Sequence, residues 1–212
     1  MAGDSKTKSF WSGSLLARLY RRFAGRHFAK MHGQVARTLA EAGVSSVLDI
    51  ACGPGDFLAL TKGRNPQLRI AGTDAAPGMV AYARARLGEG ATIAEAEAER
   101  QPFPSESFDS VTTMMAFHHF SNRPAILGEV KRVLKPGGSY VVADVVATSD
   151  FQKKFWNFLE RLTGVRGHTE HFTEADLASL AAGAGFEDFE CEPVPGMARR
   201  YRICSLRKPV VR

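Results

Sequence analysis

The sequence predicts an α/β fold built on a doubly wound, seven-stranded, mostly parallel sheet, and three observations carry that prediction. From Ser46 onward short apolar runs alternate with helix-like segments, the pattern of a parallel sheet covered by helices on both faces. The first run ends in a glycine turn, Gly53-Pro54-Gly55, of the kind that joins a strand to a helix at a ligand crevice. The last two runs follow each other with no helix between them, which makes the closing pair antiparallel.

Taken in order, residues 10–43 read as helix. Trp11, Leu15, Leu19, Phe23 and His27 recur at steps of four, and Leu16, Tyr20, Phe28 and Met31 widen that stripe. Arg18, Arg22, Arg26 and Lys30 fall on another flank, and Gly25 and Gly33 are expected to divide the segment into two or three pieces. Residues 1–43 are therefore read as an N-terminal amphipathic helical cap and 44–212 as the main domain, the two forming one structural unit. The stripe packs against the domain, covers the site as a lid, or touches a membrane surface. SVLDIA is the first strand, followed by a short helix from Asp56 to about Lys62. LRIAGTD is the second, and Pro77 opens a helix that Gly88 closes. ATIAEAE and SFDSVTTMMAF are the third and fourth strands. A helix from about Arg123 to Leu134, a Pro-Gly-Gly turn and the strand SYVVADVV come next. The aromatic helix FQKKFWNFLERL precedes a loop, and Thr173 with Asp176 forms a capping box for TEADLASLAAGAG. FEDFECEPV and ARRYRICSLRK, separated by Pro195-Gly196, close the sheet.

Composition narrows the function. With 212 residues and 44% hydrophobic content the chain suits one domain with a large core. No apolar run reaches membrane-spanning length and the first residues lack a secretory pattern, so a cytoplasmic protein is expected. The net charge of +6 is uneven: residues 1–37 carry +7, residues 196–212 carry +6, and the body between them is −7. Basic ends on an acidic body suit either a solvated face or an anionic partner. Cys52, Cys191 and Cys204 are scattered, with no metal-ligand spacing. Reduced thiols are the favoured reading, a Cys191–Cys204 disulfide the minor one, and no metal is expected.

The glycine turn lies between two acids, Asp49 and Asp56, which would repel a phosphate. The third glycine of a dinucleotide fingerprint is also missing, so a hydride-transferring dehydrogenase is disfavoured. A cationic nucleoside without phosphate, S-adenosylmethionine, fits better. Gly53 and Gly55 let the backbone approach it, Asp49 orients the loop or takes its ammonium group, and Asp74, ending the second strand, grips the ribose or caps the next helix.

VLDIACGPGDF, GTDAAPGMVAYARARL, AEAERQPFPSESFDSV and AFHHF with EVKRVLKPGG occur in order. Together they resemble class I S-adenosylmethionine-dependent methyltransferases with a Rossmann-like fold, in the branch of the ubiquinone and menaquinone biosynthesis enzymes. The resemblance covers residues 45–145 closely. It implies that Ala51 stands where glycine is frequent, that Asp74 with neighbouring Ala75 holds the ribose, and that Met79 packs near adenine. It further implies that Glu97 replaces the aspartate that meets the adenine amine, that the Ala98 amide is a further contact, and that Gln101 replaces a leucine. Met114 and Met115 would face the methionine portion. The N-P-P-Y signature of adenine-amine methylation is absent at Met114–Phe117.

A phenol, enol-like carbon or amine acceptor must lose a proton around the time of attack. His119 and His118, after the fourth strand, are the first candidates for that base, with His171 and His168 further along. Phe151, Phe155, Trp156, Phe158 and Phe172 offer an aromatic roof, or pack against the N-terminal stripe. The expected function is methyl transfer to a small aromatic or lipid-like acceptor. An RNA or protein methyltransferase and a catalytically silent binder of S-adenosylmethionine are the alternatives.

Overall fold

The computed structural model describes residues 14–163 and 169–210, with side chains described for 28–159 and 169–210. Helix α1 (Ser14–Glu41) precedes strand β1 (Ser46–Ile50), which turns into α2 (Asp56–Arg64). Next come β2 (Arg69–Asp74), α3 (Pro77–Leu87), β3 (Ala91–Glu95), β4 (Phe108–Met114) and α4 (Arg123–Val133). The chain continues through β5 (Leu134–Val145), α5 (Asp150–Thr163), α6 (Glu174–Gly183), β6 (Glu187–Pro193) and β7 (Tyr201–Arg207). The seven strands hydrogen-bond in the order β3-β2-β1-β4-β5-β7-β6. Only β7 runs against its neighbours, pairing antiparallel with both β5 and β6. The expected sheet is thus the observed one.

The chain winds outward from β1 to β3, then returns to lay β4 against β1 in parallel register, with Asp49 opposite Thr112. That reversal opens a crevice at the carboxyl ends of β1 and β4, where ligands bind in such sheets.

Both faces are covered. Met31, Val35, Ala36 and Leu39 of α1 are fully buried with Val47, Phe57, Leu58, Val141 and Ala143. The other face holds Phe117, Ile126, Leu127, Val130, Tyr140, Phe172 and Leu177. Burying a Met, Val or Leu contributes roughly 1.5–3 kcal/mol, which is reason enough for the second half of α1 to pack as part of the core.

Three expectations are corrected. Helix α1 runs unbroken through Gly25 and Gly33; at Gly33 the open flank lets Arg64 reach in and donate from Nη1 to the Gly33 carbonyl at 3.2 Å. The Pro136-Gly137-Gly138 segment is not a turn between helix and strand but part of β5, as a register shift opposite Phe108–Ser110. A Cβ on Gly138 would lie 2.9 Å from the carbonyl oxygens of both Asp109 and Lys135, so only glycine fits that bulge. Finally, Cys191 and Cys204 are register partners on β6 and β7 and are joined by a disulfide, which replaces the expectation of three reduced thiols; Cys52 is free and buried. The early stripe residues Trp11 to His27, and His168 in the later loop, lie outside the residues whose side chains are described.

Candidate active site

Strand β1 delivers its acid into the interior. Asp49 is 1% exposed, and its Oδ1 accepts a hydrogen bond of 2.7 Å from the Thr112 hydroxyl on β4. Burial pushes its pKa up to about 7, the Thr112 bond pulls against that, and the nearby charge of Asp74 adds to the rise. The chain then leaves the strand through Ala51 at φ 59° and Gly53 at φ 52°. A left-handed alanine is strained by about 1–2 kcal/mol, which explains why glycine is common at that place in the motif. The Cys52 amide bonds the Thr73 carbonyl at 2.9 Å, and the Gly53 amide donates to Asp74 Oδ2 at 2.8 Å.

Asp74 thus has a task, bracing the glycine turn, that neither expected role included. Its Oδ1 accepts from the Ala76 amide at 2.9 Å, just before α3, while Oδ2 holds the glycine turn. Burial raises its pKa, the two amide bonds lower it, and the charge of Glu97 raises it. Asp74 thus feels the charge of Glu97 and adds to that felt by Asp49, a row of carboxylates that a cation would relieve and a phosphate would aggravate.

The two turn glycines divide their work. A Cβ on Gly53 would meet no atom within 4 Å, so its backbone faces open space that a ligand can enter. A Cβ on Gly55 would press on Leu87 of α3 at 2.9 Å, so that glycine serves helix packing and the left-handed entry to α2. Asp56 also changes meaning: its carboxylate pairs with Arg86 of α3, so its charge is offset there and bears less on phosphate exclusion than the sequence suggested. Met79 is buried beside Ala76, with Tyr82 against them, and Ala75 lies between Asp74 and that patch. Together they make an apolar wall that suits a flat ring.

The third side of the crevice rests on a residue that sequence reasoning treated only as a departure. Gln101 is buried; its Oε1 accepts from Thr73 Oγ1 at 2.9 Å and its Nε2 donates to the Glu97 carbonyl at 2.9 Å. Its amide reaches Glu129 Oε1 of α4 at 2.7 Å, so the turn carrying Glu97 and Ala98 is fixed to β2 and α4. A polar residue in an otherwise apolar motif position was the signal.

At the end of β4 Met114 is buried and Met115 sits at φ 55°, its amide bonded to the Ala143 carbonyl at 2.8 Å. A 3-10 turn, Phe117–His119, follows and sets the His118 and His119 rings 4.0 Å apart between centroids, tilted by 50°. His118 Nδ1 lies 2.6 Å from Asp144 Oδ1, and its amide donates to Asp144 Oδ2 at 3.1 Å. Asp144, at the end of β5, is wholly buried. Burial alone would raise its pKa, but the charge and hydrogen bonds of His118 and the Val145 amide hold it below the usual carboxylate range. Sequence reasoning missed Asp144, although a carboxylate inside the apolar run YVVADVV was visible.

His119 Nδ1 lies 3.4 Å from Thr169 Oγ1. His171 stands apart on the strap formed by 169–173: its amide donates to Asn157 Oδ1 of α5 at 2.7 Å and its ring faces Trp156 at 6.2 Å. The strap is tied to the rim by the Glu170 amide, which donates to the His118 carbonyl at 2.8 Å. Arg123, buried between the rings of Phe117 and Phe172, donates to the Glu170 carbonyl. Of the expected aromatic roof, Phe172 is core, whereas Phe151 and Phe158 are 81% and 62% exposed on α5.

Comparison with known proteins follows the same lines. Residues 48–142 match the family model of a methyltransferase domain. The chain is 41% identical to demethylmenaquinone methyltransferase of Deinococcus radiodurans over 169 residues, covering 75% of this chain and 70% of that protein. It is 35% identical to demethylmenaquinone methyltransferase of Thermotoga maritima over 131 residues, 61% of this chain and 57% of that one, so it spans little more than half of that relative. In structure it resembles human N-acetylserotonin methyltransferase, solved with S-adenosylmethionine, at a TM-score of 0.77 and 16% identity, over 99% of this chain and 61% of the human one. At that identity the likeness speaks for the fold.

Proposed function

We propose that this chain, which belongs to the class I S-adenosylmethionine-dependent methyltransferases in the branch of the ubiquinone and menaquinone biosynthesis enzymes, transfers a methyl group to a small quinone-like or phenolic acceptor. The observation that carries the reading is the crevice itself: a glycine turn whose backbone faces open space, and a row of carboxylates, Asp49, Asp74 and Glu97. The residues present fit an adenosyl cation and disfavour a pyrophosphate. Asp74 and Gly53 would hold the ribose side, Met79 with Ala75 and the turn of Glu97 and Ala98 the adenine, and Asp49, Ala51, Gly55, Met114 and Met115 the methionine end. When bound, S-adenosylmethionine supplies an electrophilic methyl carbon; the protein's part is to hold the acceptor in line with it and to take a proton.

The names of the relatives support an acceptor of the quinone class. We take residues 1–43 as a helical cap forming one unit with the methyltransferase domain of 44–212, working in the cytoplasm. Its basic N-terminal helix would touch a membrane surface where a lipid-like acceptor resides; nucleic acid is the less favoured partner. Among the described residues no helix is long and apolar enough to cross a membrane.

Calorimetry with S-adenosylmethionine, S-adenosylhomocysteine and NADH tests the cofactor. Incubation with methyl-labelled S-adenosylmethionine and reduced demethylquinones, simple phenols or RNA tests the acceptor. Uptake of NADH with no response to the sulfonium would overturn the reading, and label transferred to RNA alone would replace its acceptor.

A further inference from the structure

We infer that His118, oriented by the buried Asp144, is the base of this site, and that the acceptor accordingly enters bearing an acidic hydroxyl. The inference rests on the methyltransferase reading and adds to it a named base and a positioning residue.

Three facts of geometry carry it. Two heavy atoms that are both acceptors cannot sit 2.6 Å apart without a proton between them, so His118 Nδ1 carries the hydrogen that meets Asp144 Oδ1. The lone pair of the neutral ring is then on Nε2, the nitrogen turned away from β5. Asp144 is fixed in turn: Oδ1 also accepts from the Val145 amide at 2.6 Å and Oδ2 from the His118 amide at 3.1 Å, all without exposure to solvent. The carboxylate therefore has no freedom to rotate away, and the imidazole has one tautomer and one orientation. Thirdly, His118 follows Met114 and Met115 at the mouth of the crevice and keeps part of its surface open, 14% of the side chain. His119, which the sequence put first, lies 3.4 Å from the Thr169 hydroxyl, and His171 is anchored on α5 through Asn157.

The charged and titratable groups around His118 come from four directions. Asp144 lies beneath it on β5, His119 beside it on the same turn and Arg123 on α4, which acts on Asp144 through space. Glu170 lies on the strap, its carboxylate 3.9 Å from Arg123 Nη1, so these two largely offset each other. What remains beside the ring is the Asp144 carboxylate, the partner of Nδ1.

The step balances without another reagent. His118 Nε2 takes the hydroxyl proton of the acceptor. The resulting electron pair, on that oxygen or on the conjugated ring carbon, forms the bond to the methyl carbon as the carbon–sulfur bond breaks. The bonding pair goes to sulfur, leaving a neutral thioether, and the imidazolium returns its proton to water.

Long-range proton–nitrogen NMR of the imidazoles in the ligand-free protein reads the tautomer directly and does not depend on turnover. The expected result is Nδ1–H for neutral His118 in the wild type, altered in Asp144→Asn. With a phenolic acceptor, Asp144→Asn and His118→Gln should each lower kcat about a hundredfold or more and change the acid limb of the pH profile. Their affinity for S-adenosylmethionine should stay within a few fold, and His119→Gln should leave the Nδ1–H tautomer of His118 unchanged. An Nε2–H tautomer at His118 overturns the inference by itself, even if Asp144→Asn does not fold. Loss of the acid limb in His119→Gln but not in His118→Gln overturns it too. An intact tautomer with no uptake of S-adenosylmethionine would instead refute the methyltransferase reading and leave the dyad in place.

Discussion

Replacing Asp49 by Asn should stabilise the ligand-free protein and weaken its hold on the cofactor. The carboxyl is 1% exposed, and burial first, with the neighbouring charge of Asp74, carries its pKa from 3.8 to about 7 against the pull of Thr112. A folded-state pKa above the unfolded one means that the folded protein binds the proton more tightly. The benefit is complete below about pH 4 and is lost as pH rises through 7. The displacement corresponds to on the order of 4 kcal/mol between the two protonation states. Asn keeps the shape and an oxygen to accept from Thr112 but carries no charge. Urea unfolding of wild type and Asp49→Asn, without ligand, should therefore give similar stabilities near pH 4.5 and a gap of about 2–4 kcal/mol in favour of the variant near pH 8.5. Calorimetry at the higher pH should show S-adenosylmethionine bound at least about tenfold more weakly by the variant, a loss of roughly 1.4 kcal/mol. A gap that does not change with pH, or a variant no more stable than wild type near pH 8.5, would refute the argument that Asp49 is a costly buried charge retained for a cation.

Other expectations follow from the packing and hydrogen bonds of the same fold. Gly72 on β2 has no room for a methyl group: its Cβ would lie 2.7 Å from Leu58 Cδ1 and 2.8 Å from Cys52 Sγ, both buried. Gly72→Ala should cost about 2–3 kcal/mol and several degrees in Tm by calorimetry, with partial rescue by adding Cys52→Ala, because the Leu58 contact remains. Asp109 accepts from Lys135 at 2.7 Å and from the hydroxyls of Ser45 and Ser46 at 2.6 and 2.8 Å. Burial is the largest single influence and opposes ionisation, but these bonds, with that of the Ser45 amide, together outweigh it and hold its pKa well below the usual carboxylate value. Its contribution is present above about pH 4 and lost as pH falls through the lowered pKa, so Asp109→Asn should cost about 2 kcal/mol in urea unfolding at pH 7 and progressively less under acid. Thr173 and Asp176 exchange bonds of 3.1 and 2.8 Å at the start of α6. Thr173→Ala should remove about 1 kcal/mol, visible as faster amide hydrogen exchange in the first turn of α6.

The order of strands and helices, the glycine turn, the capping box at Thr173 and the acids Asp49 and Asp74 were all legible in the sequence. Each is a short-range pattern, expressed within a few residues along the chain. Alternating apolar runs fix which segments are strands, and Pro77, Gly88 and Thr173 mark helix ends through backbone and side-chain groups at hand. What stayed hidden depends on residues brought together by sheet pairing. The strand order lays β5 beside β4, and only that adjacency puts Asp144 under His118, 26 positions earlier. Gln101 looked like a lapse in a motif until the fold set it against Thr73 and Glu129, and the second duty of Gly55, leaving room for Leu87 of α3, shows only in the fold. Whether Cys191 and Cys204 meet was likewise a question of register between β6 and β7. A sequence states what each segment does with its own neighbours; which of two adjacent histidines is held in one tautomer is a matter of a carboxylate placed by another strand, and burial rather than spacing makes that contact binding.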